Sequence, residues 1–159
     1  MAKIKRELFK TFINCTPDAE AATYQVLGDD LEELNIEMSA NVSRTSNILG
    51  ENSITIDRYE KTASVEPYKA DSGTPLFTFL KGIIDDEKTL DELKTDVVNV
   101  DVFGTETSGA YPAYKEEVFV EVTSYGGSTE GFQIPFNVHF TGKRTKGAFN
   151  PATKAFVAA

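Results

Sequence analysis

The clearest pattern of apolar and polar positions lies in the last quarter of the chain, from Glu117 to Phe149. Two alternating runs, 118–124 and 132–141, flank the turn-rich stretch Tyr125-Gly126-Gly127-Ser128-Thr129-Glu130-Gly131. In the first run Val118, Val120 and Val122 share one parity, and Phe119, Glu121 and Thr123 the other. In the second, Phe136, Val138 and Phe140 oppose Asn137, His139 and Thr141. A period of two predicts strands with one buried and one wetter face, here paired as an antiparallel hairpin.

The same reading applies upstream. Residues 24–27 read as a short strand ended by the turn Gly28-Asp29-Asp30. Residues 31–64 read as a second hairpin. Leu34, Ile36, Met38, Ala40 and Val42 lie on one face against Glu33, Asn35, Glu37, Ser39 and Asn41. The return strand, 53–64, carries Ile54 and Ile56 on one parity. The polar segment 43–52 between them is longer than a tight hairpin needs. Residues 74–84 read as the main helix: Thr74 as N-cap, Pro75 at the first helical position, then Leu76, Phe79, Leu80, Ile83 and Ile84 at helical spacing. A second helical turn is expected around Leu90 and Leu93. Residues 97–103 form a strand with Val98, Val100 and Val102 opposite Asn99 and Asp101, and 104–114 a polar loop. Residues 146–149 and 155–157 form a closing hairpin around Asn150-Pro151-Ala152-Thr153. Residues 1–23 read as an N-terminal arm.

About seven strands with one main helix predict an α+β, mainly antiparallel β domain: a sandwich or partial barrel of long hairpins with one packed α-helix. At 159 residues the chain is expected to be one domain with a full core. The N-terminus shows no signal-peptide pattern, and no apolar run reaches membrane-spanning length. The formal net charge of -9 is uneven. Residues 1–15 carry Lys3, Lys5, Arg6 and Lys10 against Glu7, and 131–159 carry Lys143, Arg144, Lys146 and Lys154 with no acid, so the middle is strongly acidic. That balance opposes a nucleic-acid grip and suits basic ends docking on acidic neighbours.

Chemistry is sparse. The single cysteine, Cys15, forms no internal disulfide and reads as a packing residue. The single histidine, His139, excludes a two-histidine metal site. Gly126-Gly127 lacks the Lys-Ser/Thr and helix of a phosphate loop, and no serine sits in a nucleophile elbow. The doublets Asp29-Asp30, Glu32-Glu33, Asp85-Asp86 and Glu116-Glu117 have no spacing that selects a carboxylate pair. The reading is therefore not an enzyme, with no catalytic residue, no metal and no cofactor. A β-sandwich carbohydrate-binding module is a competing class, for which Tyr111 and Tyr114 are the available aromatics.

The run from Val120 to Phe149, VEVTSYGGSTEGFQIPFNVHFTGKRTKGAF, together with the hairpin–helix–hairpin order before it, resembles the phage major tail protein, the tail tube subunit of long-tailed phages infecting Gram-positive bacteria. The resemblance implies a structural virion protein, made in the host bacterial cytoplasm and located in the virion tail. It implies hexameric rings stacked into a tube, with large hairpins joining in a β-barrel around a lumen for DNA ejection. The implied partners are further copies of itself, the tape measure and the tail terminator; DNA passes without specific binding, and no membrane is involved. The inner tube of a contractile tail or of a phage-tail-like injection particle is the related alternative.

Within that frame Glu33, Asn35, Glu37 and Asp57 are expected to line the lumen, because Leu34, Ile36, Met38, Ile54 and Ile56 need the core face. Glu117, Glu121, Asn137 and His139 are the candidates from the last hairpin. The segment 43–52 is the candidate inter-ring loop, with Arg44 and Glu51 as its charges. Lys143, Arg144 and Lys146, read as a turn between strands, are further contact candidates.

Overall fold

The alternation in the last quarter becomes the longest ladder in the molecule. Strand β8 (Tyr111–Val122) runs antiparallel to β11 (Phe136–Asn150), with Phe136 opposite Val122, Val138 opposite Val120 and Phe140 opposite Val118. The computed structural model describes residues 2–28, 31–66 and 68–159; Asp29 and Asp30 of the expected turn lie outside them. The other strands are β1 (Phe9–Asn14), β2 (Tyr24–Leu27), β3 (Ile36–Glu37), β4 (Ala40–Ser46), β5 (Asn52–Tyr59), β6 (Thr62–Val65), β7 (Lys94–Asp101), β9 (Gly126–Ser128), β10 (Gly131–Gln133) and β12 (Ala155–Ala158). The main sheet has the order β2-β1-β7-β8-β11-β6-β3, with β12 alongside the second half of β11. Pairs β4–β5 and β9–β10 stand as separate two-stranded sheets. The described pairings are antiparallel, and the fold class is the α+β, mainly antiparallel one that the sequence predicts.

The helix α1 (Pro75–Asp86) covers one face of the main sheet. Thr74 Oγ1 accepts from Phe77 N at 3.4 Å, Pro75 starts the helix, and Glu87 ends it in the left-handed region at φ 45°. Leu76, Phe79, Leu80 and Ile83 bury against Ile13, Leu27, Ala63, Val65, Val97, Val118, Val120, Phe136 and Val138. A second cluster forms on the opposite face at the other end of the sheet: Phe12, Tyr24, Val98, Val100, Ala113 and Phe149. Neighbouring residues of a strand point to opposite faces, so Phe12 and Ile13 of β1, and Val97 and Val98 of β7, feed both clusters. The Phe12 and Phe149 rings lie 4.7 Å apart.

Several boundaries differ from the sequence reading, for physical reasons. The expected arm over 1–23 gives residues 9–14 to β1, an interior strand between β2 and β7. Its polar residues hid this, but they are satisfied inside: Thr11 Oγ1 donates to Asn99 Oδ1 at 2.8 Å, and Asn14 Nδ2 to Asp96 Oδ2 at 3.3 Å. The expected return strand 53–64 splits, β5 pairing with β4 and β6 with β11 and β3. The expected loop 43–52 is mostly strand, with only 47–51 forming the tip. Strand β8 begins at Tyr111, inside the expected loop 104–114. Residues 143–146 are not a turn. They belong to β11, which passes a register irregularity between Phe140 and Arg144 where Gly142 adopts φ 96°. At Gly147 a Cβ would run into the Val157 carbonyl oxygen, so glycine is what lets β12 pair there.

The two kinds of apolar position should separate by mutation. Leu80 is fully buried under the sheet, and Leu80→Ala should cost about 2–5 kcal/mol in urea unfolding. Ile54 is 60% exposed on β5, and Ile54→Ala should leave the unfolding midpoint of the isolated chain nearly unchanged.

Candidate functional site: a polar sheet face and a projecting hairpin

Opposite α1, the odd-numbered residues of β8 and β11 share one face. Asn137 stands across from Glu121 on one side and Ser64 on the other; His139 stands between Phe119 and Thr62. Glu37 pairs with Thr62 at the β3 edge, and Lys94 with Phe119 on β7. The register thus brings Glu37, Glu117, Glu121, Asn137 and His139 onto a single polar surface. Most of it is exposed or half-exposed. Its side chains order one another. His139 Nε2 lies 2.8 Å from Glu121 Oε1, Asn137 Nδ2 donates to the same oxygen at 3.3 Å, and Ser64 Oγ donates to Asn137 Oδ1 at 2.8 Å. The bond from His139, then that from Asn137, holds the Glu121 carboxyl below its ordinary value.

The remaining lumen candidates lie elsewhere. Glu33 and Asn35 sit before β3, with Asn35 Nδ2 donating to Glu33 Oε1 at 2.6 Å. Asp57 belongs to the β4–β5 hairpin and accepts from Asn41 Nδ2 at 2.7 Å. The argument that grouped these residues holds at Leu34, which is buried, and at Ile36, which packs on the core. It fails at Met38, Ile54 and Ile56, which are exposed, because the hairpin carrying the isoleucines stands away from the sheet.

That hairpin is the second feature of the site. Val42 pairs with Ile56 and Arg44 with Ile54, so the two isoleucines and Val42 form an apolar stripe on one face, interrupted by the Arg44 cation. Every residue of β5 is exposed, Ile54 and Ile56 at 60% and 52%. The tip adds Ile48 and Leu49, fully in solvent. It is nonetheless ordered: Asn47 Oδ1 accepts from Leu49 N at 2.9 Å and Glu51 N at 3.0 Å, and Asn47 Nδ2 donates to Glu51 Oε1 at 3.3 Å. An ordered element that exposes this much apolar surface marks an interaction site.

Of the basic candidates, Lys143 is open to solvent, with Nζ 3.9 Å from Glu117 Oε1, and Lys146 is exposed opposite Tyr114. Arg144 is engaged internally. Its guanidinium stacks 3.9 Å from the Tyr114 ring centroid, and its Nε is 3.4 Å from Glu116 Oε1. Glu116 is 3% exposed and also receives Asn99 Nδ2 at 2.8 Å and the Lys61 ammonium. Sequence reasoning missed this buried carboxylate, finding in the spacing of Glu116-Glu117 nothing that sets it apart from the other acidic doublets. Its signal was parity: Glu116 falls in step with Val118, Val120 and Val122, on the core side.

Tyr114 is covered by Arg144, and Tyr111 packs against the Phe12–Phe149 cluster, so neither offers a free aromatic platform for a sugar. Cys15 is buried, and burial pushes its thiol up to about 12. Among the described residues no three His, Cys, Asp or Glu side chains converge as a metal site, and no helix is long and apolar enough to cross a membrane.

The fold is a curled, half-barrel antiparallel sheet with one helix, of the tail-tube-like kind. Among solved structures it is similar to a chain from the cryo-EM structure of an extracellular contractile injection system, the PVC sheath/tube terminator in the extended state. The similarity has a TM-score of 0.53 at 10% identity, covering 92% of this chain and 97% of the other. No family model and no curated protein matches the sequence.

The Glu121 cluster sets a pH dependence. A carboxyl held below its ordinary value adds stability that is fully present above that value and is lost as pH falls through the folded one. The advantage of the native chain over Glu121→Gln should therefore shrink as pH drops from about 5 to about 3. Urea unfolding at each pH reads it, and the effect is small because the pair is solvent-exposed.

Proposed function

We propose that this chain is a non-enzymatic structural subunit of a phage-tail-like tube, assembling with its own copies into rings around a conduit for DNA. One observation carries the reading. A curled sheet is sealed by α1 on one face and left polar over the part of the other face beyond the Phe12–Phe149 cluster, with unpaired edges at β2 and β3. Exposed edges invite pairing with another chain, and closure of neighbouring sheets into one barrel removes them. In that arrangement Glu37, Glu117 and Glu121 face the lumen with Asn137 and His139. Carboxylates there repel phosphate and avoid the counterion-release affinity of a basic wall, so DNA slides without being held.

The occupant of the hairpin stripe is a second copy in the adjacent ring. Ring stacking is head-to-tail and needs two different surfaces. A stripe of Val42, Ile54 and Ile56 with Ile48 and Leu49 at its end supplies one of them. Arg44 lies within that stripe, and the exposed Lys143 and Lys146 add cations for the acidic surface of a neighbour. The tape measure and a terminator are the other partners of this reading, and the virion tail is its location.

The second reading is a terminal ring or inner tube of a contractile particle. The similarity in fold to a sheath/tube terminator favours it. Electron microscopy of the concentrated full-length protein tests them: stacked tubes support a tube subunit, whether of a phage tail or of a contractile particle's inner tube, discrete unstacked rings support the terminator, and persistent monomers overturn all three. The double variant Ile54→Asp, Ile56→Asp should keep the native circular dichroism spectrum and form rings that no longer stack.

A further inference from the structure

The β4–β5 hairpin is joined to the sheet by two short linkers, 38–39 and 60–61. Its strands pair only with each other. At one linker Ser39 adopts φ 44°, a left-handed conformation uncommon for a residue other than glycine. Its carbonyl accepts from Glu60 N at 3.1 Å, which clasps the two linkers side by side. At the other linker Lys61 is tied down three ways. Its carbonyl accepts from Phe140 N at 3.0 Å, its ammonium lies 4.9 Å from the Phe140 ring centroid, and that ammonium pairs with the buried Glu116 carboxylate.

Glu116 has partners besides Lys61. Asn99 donates to its Oε2 and itself accepts from Thr11, while the Arg144 Nε lies 3.4 Å from Oε1, the oxygen that Lys61 bonds, so the carboxylate is also placed from β1, β7 and β11. Lys61 is thus the first residue after the hairpin fixed to the sheet, and its partner is positioned independently of it. We infer that Lys61 is a positioning residue that sets the angle at which the hairpin leaves the sheet, and that breaking its pair with Glu116 lets the hairpin swing as a rigid arm about 38–39 and 60–61. Hinges are a few residues at element ends that absorb a large backbone change, and these linkers have that form. This inference stands on the single chain and does not depend on the tube reading.

The test uses the full-length chain with the buried Cys15 replaced by Ser and spin labels at Thr45→Cys on the hairpin and Thr123→Cys just past the end of β8. Pulsed electron–electron distance measurements should give one narrow distribution in the parent and in Lys61→Arg. Lys61→Met should broaden it, with about a doubling of its width, while amide exchange in β6 and β8 stays at parent rates. A distribution already broad in the parent, or unchanged in Lys61→Met, overturns the inference. So does faster exchange throughout β6 and β8, which would make Lys61 an ordinary stabilising residue.

Discussion

The register of β8 against β11 is the constraint on which the rest of the molecule hangs. Side chains alternate with a period of two, so a one-residue slip of β8 would carry Val118 and Val120 out of the core and bring Glu117 and Glu121 into it, and a slip of β11 would exchange Phe136 and Val138 for Asn137 and His139. The penalty for burying those charges without partners holds the ladder in place. Once it is held, α1 has an apolar surface to cover, β7 and β6 have long neighbours to pair with, and the polar residues of five strands converge on one face.

Two-sidedness is the second theme. Strand β7 is apolar toward α1 at Val97 and apolar toward Phe149 at Val98 and Val100, so the sheet carries a core on each face at opposite ends. The wet remainder of the face opposite α1 is therefore bounded, and it is the part rich in carboxylates. It is this surface on which the proposed conduit rests: polar enough to stay hydrated, and acidic enough to refuse phosphate. The β4–β5 hairpin has the opposite character, with isoleucines in water and no core beneath them. A chain does not gain stability from such an element alone, which is why its partner is sought in another copy.

Much of the fold is legible in the sequence, because hydrophobic period is a local property. The β2 strand, the Thr74–Pro75 helix start and the closing hairpin stand where their patterns put them; the last hairpin keeps its antiparallel pairing, but its run 132–141 splits into β10 and β11 and the turn-rich 125–131 holds β9. Five of the eight candidate residues also come together on one face, since parity alone assigns Glu37, Glu117, Glu121, Asn137 and His139 to the wetter face of their strands. The failures have one cause. Alternation tells which residues share a face and not what that face meets. Ile54 and Ile56 share a face as their parity predicts, but that face meets solvent; Glu116 has the parity of Val118 and is buried with it; and residues 9–14 of the expected arm form an interior strand whose Thr11 and Asn14 are satisfied by Asn99 and Asp96.

The sequence by itself determined the periodicities, the helix and its cap, the acidic middle and the lack of catalytic motifs, since each follows from the chemistry of neighbouring residues. The tertiary structure decided which strand sits inside the sheet, where the return strand breaks into β5 and β6, and which of Glu116 and Glu117 is buried. Those outcomes depend on partners 17 to 88 residues away, such as Asn99 for Glu116 and for Thr11, and only the folded chain brings such groups within hydrogen-bonding distance.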